Sequence, residues 1–321
     1  MHKQIFFTGI RLAIAICLLV YLGTSGAIHW PALRGLATAW PMALTALAVY
    51  GADVVVTSWR LCVLLRAGGF QLSLRNSARL TLIGSFFNLY LPGAVGGDLI
   101  KIYYATAGNH GRKPEVATIV LLDRMAGLFA MLTWPVLAMP FFPQLWQSAP
   151  ALRIILGLAV AAAVAMAATF VGSRIWAKLP LGRLAAKVLN TLDCCRRNPR
   201  ASLLALAASL VAHTLSVTVM LLLARAIDPA GFSWAMAVLI PLGFVANTLP
   251  LTPGGLGVGE AAFDKLFALA GLQGGAETLI GWRMLTILAG LAGLVFYLQG
   301  RKRFVHERAS ESELEMVWER G

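Results

Sequence analysis

Residues 84–98 read GSFFNLYLPGAVGGD, and residues 243–260 read GFVANTLPLTPGGLGVGE. Each stretch lies inside an apolar segment, 80–107 and 233–271, and each segment is broken near its middle by proline and glycine. A proline there removes a backbone donor, and its ring strikes the preceding helical turn. In hydrocarbon, interrupted backbone survives only where protein or a wet cavity covers it. Neither segment is therefore an ordinary membrane span. Each is expected to run in as one helix, turn at its Leu-Pro and Gly-Gly, and return as another.

The rest of the chain supplies the membrane setting. Of the 321 residues, 59% are hydrophobic and 13% are charged, and the mean hydropathy is +0.75. A soluble domain carries roughly 25% charged residues. Apolar runs at 5–22, 37–58, 116–139, 152–172, 201–224 and 279–299 are each long enough to span. The run at 5–22 follows Lys3 and precedes Ser25-Gly26-Ala27, which resembles a signal peptide. Its length, with Arg11 able to snorkel to the cytoplasmic surface, reads as a retained first helix. The expected fold is an all-α membrane protein of about six transmembrane helices plus two opposed re-entrant helical hairpins.

Lysine and arginine set the orientation. The net charge is +13, and the basic residues cluster between the apolar runs. That clustering is the positive-inside pattern, so no nucleic-acid partner is expected. Arg60, Arg66, Arg75 and Arg79 lie in 60–80; Lys101, Arg112 and Lys113 lie in 101–113; seven basic residues, Arg174 to Arg200, lie in 173–200; and Arg301-Lys302-Arg303 opens the tail. By contrast, 140–151 has no Lys or Arg, and 224–233 has Arg225 alone. Both termini are expected in the cytoplasm, with the chain in the inner (plasma) membrane. The first hairpin then enters from the cytoplasm and the second from outside. Leu181, Leu184, Val188 and Leu192 recur at helical spacing, which reads as an interfacial helix at about 180–195, resting on anionic lipid or on the floor of the bundle. Residues 301–321 are read as a cytoplasmic tail, with Ser310 and Glu313 at capping-box spacing.

The two broken segments are also alike. Each has Gly-x-x-x-Asn, then Leu-Pro, then Gly-Gly, then an acid. An ungapped offset of 159 superposes Gly84 on Gly243, Asn88 on Asn247, Gly96 on Gly255 and Arg124 on Arg283. Span, hairpin and span at about 37–139 are followed by span, hairpin and span at about 201–299. With the orientation above, this is an inverted repeat, as in many secondary transporters whose site lies between broken helices near the midplane.

The candidate site follows from that repeat. Asp123 and Arg124 lie several residues inside a span, where a charge costs at least ~2.5–3.5 kcal/mol. They are read as functional, or else as a structural pair, with Arg124 alternatively neutralising Asp98. Arg283 has no acidic neighbour close by in its own span. It is read as seeking an anion, for which its planar fork suits a phosphate; the alternative is a salt bridge to Glu260. Pro92, Gly93, Gly96 and Gly97 form one tip and Pro253, Gly254 and Gly255 the other. The free amides of the helix leaving each tip, with its dipole, make an anion site. Asn88 and Asn247 are placed to hold the tips, and Asp98 and Glu260 to take a counter-ion, a proton or an arginine. No Walker loop, nucleophile elbow or H-E-x-x-H is present. No catalytic residue, metal or cofactor is expected, and Cys17, Cys62, Cys194 and Cys195 are read as small membrane or interfacial side chains.

The strings NLYLPGAVGGDLIK, LLDRMAGL and LPLTPGGLGVGE resemble the lysylphosphatidylglycerol synthase transmembrane region, also called the flippase-like family, over roughly residues 5–300. The resemblance implies a membrane domain that moves lipids across the bilayer, with a site at Asn88, Pro92, Gly96, Gly97, Asp98, Asp123, Arg124, Pro253, Gly254, Gly255 and Glu260. Arg283 rests on the repeat instead. Bifunctional relatives join this domain to a soluble aminoacylating one; only about 20 residues follow the last span here, so aminoacylation is not expected. The expected function is a lipid flippase moving an anionic or modified headgroup by alternating access. Its expected partners are that lipid, anionic lipid at the cytoplasmic face, and a lipid-modifying enzyme. The rival expectations are an ion-coupled carrier for a small anion and a non-catalytic membrane partner of such an enzyme.

Overall fold

Prolines mark where the long helices begin. Pro41, Pro114, Pro150 and Pro199 each sit in a first turn, where the missing amide hydrogen forfeits no intrahelical bond. The computed structural model of the chain describes residues 34–90, 96–106, 112–148, 150–176, 198–249, 251–252 and 254–299. The expected span at 5–22, the interfacial helix at 180–195, the tail at 301–321 and the tip residues Pro92, Gly93 and Pro253 lie outside these residues.

The described residues form helices and no strand. In chain order they are α1 (Arg34–Thr38), α2 (Trp40–Ala67), α3 (Leu74–Tyr90), α4 (Gly96–Ala105), α5 (Lys113–Ala138), α6 (Pro143–Ser148), α7 (Pro150–Trp176), α8 (Pro199–Ile227), α9 (Met236–Asn247), α10 (Val258–Leu269) and α11 (Gly275–Leu298). Five of them, α2, α5, α7, α8 and α11, are long and apolar enough to cross a membrane. The chain is thus an all-helical, multi-pass membrane protein. Exposed Leu44, Val55, Ile154, Leu158, Leu203 and Leu291 clothe these helices, as a lipid-facing surface requires.

Both segments that the sequence marked as broken are broken. The first is α3 and α4, the second α9 and α10. At ~1.5 Å per residue, α4, α9 and α10 reach only about 15–18 Å, against a hydrocarbon core of about 30 Å. None of the three crosses alone. Within each pair the two helices pack on one another. Gly84 and Gly243 make that approach possible in the same way, since a Cβ would lie 2.5 Å from the Lys101 side chain on α4 and 2.5 Å from the Phe263 ring on α10.

Packing between the halves is reciprocal. The first helix of each broken pair leans on the last span of the other half, α3 on α11 and α9 on α5. At Gly293 of α11 a Cβ would sit 2.0 Å from the Leu82 carbonyl oxygen of α3, the backbone-close contact that small residues permit between membrane helices. Spans α2 and α8, which open the two halves, pack along each other. One buried cluster, with Leu61, Leu65, Leu80 and Ile83, surrounds the first broken pair. Another, with Met220, Phe263, Phe267 and Leu279, surrounds the second.

One placement corrects the sequence reading. The span expected at 37–58 runs on to Ala67, so Arg60 is not a loop charge. It lies inside α2 with 9% of its surface exposed.

Candidate functional site

Asn247 ends α9, and the chain then passes through Gly254, Gly255 and Gly257 with φ of 57°, 71° and 79°. Those left-handed values suit glycine and turn the chain into α10. Glu260 falls in the first turn of α10, where a carboxylate complements the helix dipole. Its Oε2 accepts the Gly257 amide at 2.8 Å, so Glu260 caps the helix that it belongs to. Arg283, from α11, reaches into this turn. Its Nε donates to Glu260 Oε1, its Nη1 to Gly254 O at 2.7 Å, and its Nη2 to Gly255 O at 3.0 Å and Asn247 Oδ1 at 3.1 Å. One guanidinium thus ties together both sides of the break.

The first half repeats the plan. Asn88 lies near the end of α3, and its Oδ1 accepts the Gly97 amide at 2.9 Å. Asp98 occupies the first turn of α4, and its Oδ2 accepts from Arg124 Nε on α5. Lys101, one turn further along α4, brings its Nζ to 3.7 Å from Asp98 Oδ1. That oxygen is buried and accepts no hydrogen bond.

The structure refines the alignment of the two halves. The offset of 159 matches the asparagines and the arginines but sets Asp98 opposite Gly257. By helix position and partner Asp98 matches Glu260, because each occupies the third position of its helix and binds the arginine of the following span. Gly97 and Gly259 correspond likewise. A Cβ on Gly97 would lie 2.6 Å from Asn88 Oδ1, and one on Gly259 2.2 Å from Asn247 Oδ1. The second break is longer, and the shift is absorbed before Arg283. Gly96, which the offset paired with Gly255, instead opens α4.

Of the residues singled out in the sequence, Asn88, Gly97, Asp98 and Arg124 meet at one break, and Asn247, Gly254, Gly255, Glu260 and Arg283 at the other. Asp123 pairs elsewhere, as neighbouring residues on a helix point about 100° apart. Its two oxygens accept from Arg60 Nε at 2.6 Å and Arg60 Nη2 at 3.1 Å. Arg60 Nη1 donates to Ser209 Oγ on α8 at 2.9 Å. This buried bridge joins α2, α5 and α8. The sequence reading left Arg60 among surface charges, and no local spacing would have linked it to Asp123. Lys101, by contrast, is three residues after Asp98 on one helix face, a readable pairing.

The two breaks share one cavity of about 220 Å³. Ser85 and Asn88 line it from α3; Asn247, Thr252, Gly254 and Gly255 line it from the second break. Tyr50, Trp282, Arg283 and Thr286 also line it. Tyr50 meets Trp282 edge to face with centroids 5.2 Å apart. The lining offers amide, hydroxyl and guanidinium donors beside two aromatic rings, a set suited to a phosphate-sized anion.

Two comparisons with known proteins accompany this geometry. No curated protein matches the chain. The family described as lysylphosphatidylglycerol synthase TM region matches residues 8–293.

Proposed function

The chain belongs to the lysylphosphatidylglycerol synthase TM region family, and on that premise we propose that it carries the headgroup of an anionic or modified lipid across the bilayer. One observation supports this above the others: Asn88 and Asn247, from the two broken segments, border a single cavity with Arg283 in its wall. A volume of about 220 Å³ admits a headgroup phosphate while the acyl chains stay in the membrane.

In this reading the broken segments are re-entrant hairpins related by an inverted repeat, and the reciprocal packing of α3 on α11 and of α9 on α5 supports it. The carboxylates hold the arginines in the absence of cargo. A phosphate competes with Glu260 for Arg283 and with Asp98 for Arg124, since each is an anion that a guanidinium can hold with two donors. Glu260 keeps its cap on Gly257 after the exchange. Opening one ion pair as the other closes exposes the cavity to alternate sides. The chain acts as a carrier without cofactor or catalytic residues, in the inner membrane with both termini cytoplasmic. Its partners are the lipid itself, anionic lipid at the cytoplasmic face and a lipid-modifying enzyme.

Reconstituted vesicles holding an anionic phospholipid with a fluorescent headgroup test this. Wild type moves the lipid between leaflets; Arg124→Ala and Arg283→Ala insert but do not. Wild-type rates in both variants overturn the headgroup site. The cavity volume also fits a free anion, the second reading. Arginine-dependent uptake of inorganic phosphate, with no lipid movement, selects it.

A further inference from the structure

Asp53 stands at the middle of α2, the span that opens the first half. It is 8% exposed. Its Oδ2 accepts from Ser216 Oγ on α8 at 3.2 Å, and its Oδ1 is buried and accepts no hydrogen bond. The acids of the two breaks differ from it: Asp98 and Glu260 each lie against an arginine. Among the described residues no cation lies within ion-pair distance of Asp53. A buried carboxylate is costly unless it is paired or neutralised, and an intramembrane acid in that condition marks a proton or ion path.

The groups around it are already engaged. Arg60, two turns along α2, is held by Asp123 of α5 and by Ser209 of α8. His213 of α8 has its Nε2 2.9 Å from the Gly127 carbonyl oxygen. On α3, Arg79 lies against Asn76 and over the Phe296 ring. On α11, Arg283 is spent on the second break. Among the described residues, Tyr50 is a further titratable neighbour, one turn before Asp53 on the same face of α2 and in the cavity wall. Among the described residues, Ser216 supplies the side-chain hydrogen bond to Asp53, and no group of three or more His, Cys, Asp or Glu gathers that could hold a metal ion. A hard metal cation takes about six oxygens, so the set fits a proton.

We propose that Asp53 is a proton-binding site in the α2–α8 seam, and that its proton is the ion coupled to movement at the cavity beside Tyr50. A proton taken up adds to the free Oδ1 and gives the neutral carboxylic acid, while Ser216 continues to donate to Oδ2. Release restores the carboxylate. The seam joins the spans that open the two halves, so displacement of one half against the other changes what Asp53 meets. The coupling rests on the carrier reading; the proton site does not.

Infrared titration of the purified full chain in lipid nanodiscs tests the site without any substrate. Wild type shows a protonated-carboxyl C=O band that comes and goes with pH. Asp53→Asn loses that band, and Ser216→Ala keeps it at a shifted frequency because its hydrogen bond is gone. A titrating band that survives intact in Asp53→Asn, or is identical in Ser216→Ala, overturns the site. Vesicles under an imposed pH gradient test the coupling. Wild-type lipid movement responds to the gradient, and Asp53→Asn loses the response. An equal response in both overturns the coupling. Failure of the carrier reading looks different: no vesicle moves lipid, and the band still titrates.

Discussion

Arg283 and Arg124 occupy matching places in the two halves and live in different surroundings. The Arg283 side chain is 14% exposed and its partner Glu260 1%, whereas Arg124 is 35% exposed and Asp98 11%. Arg283 donates to a carboxylate, an asparagine and two backbone carbonyls, and Glu260 also caps its helix. At the first break Asp98 shares its charge between Arg124 and Lys101 and keeps one oxygen without a hydrogen bond. The same local plan therefore yields a more deeply buried pair at the second break than at the first. Under the proposed headgroup exchange, two pairs buried to such different depths do not open at equal cost. Within the proposed carrier cycle, the more exposed Asp98–Arg124 pair is the easier one to open.

Thermal unfolding of purified variants in detergent measures this contrast. The largest effect belongs to Arg283→Ala. It leaves a buried Glu260 uncompensated, a loss of about 3–5 kcal/mol. Arg283→Lys does not recover it, because one ammonium cannot span a carboxylate, an amide oxygen and two carbonyls in a fixed plane. Next come Gly259→Ala and Gly97→Ala, each pushing a methyl into the asparagine that secures its break and costing about 1–3 kcal/mol. A neutral Gly97→Ala beside a damaging Gly259→Ala would break the equivalence drawn between those two positions. Arg124→Ala follows, at about 1 kcal/mol in stability, because Lys101 still accompanies Asp98; its transport is nonetheless lost. A loss as large as that of Arg283→Ala would erase the asymmetry. Lys101→Met is the mildest, below about 1 kcal/mol for a pair at 3.7 Å. Made in the Arg124→Ala background, its cost should rise, and a double-mutant cycle reads that coupling directly.

Much of this site was legible beforehand, for reasons tied to particular residues. Asn88 and Asn247 precede their breaks by a similar distance, and Arg124 and Arg283 follow at a fixed offset. Such coincidences stand out even in an apolar background. The acids did not align at that offset, because the second break is longer and the shift is taken up only between the acid and the following arginine. Arg60 was misplaced because basic residues near a span end look alike whether they face the cytoplasm or turn inward. The helix continues to Ala67, and Asp123 lies sixty-three positions away in the chain. The partner of Asp53 is further off still, on α8.

The sequence by itself determined that this is a helical membrane protein, where its five described spans lie, that two apolar segments are broken, and which family it belongs to. The first three follow from hydropathy and from proline and glycine, which act on the backbone locally, and the family follows from the motif strings at the two breaks and in the span between them. Only the tertiary structure decided which acid meets which arginine, that Arg60 bridges α2, α5 and α8, that both breaks face one cavity, and that Asp53 meets a hydroxyl and, among the described residues, no cation within ion-pair distance. Those outcomes depend on which helix faces pack together. In an interior where a charge without a partner is costly, that packing decides what each ionisable group becomes.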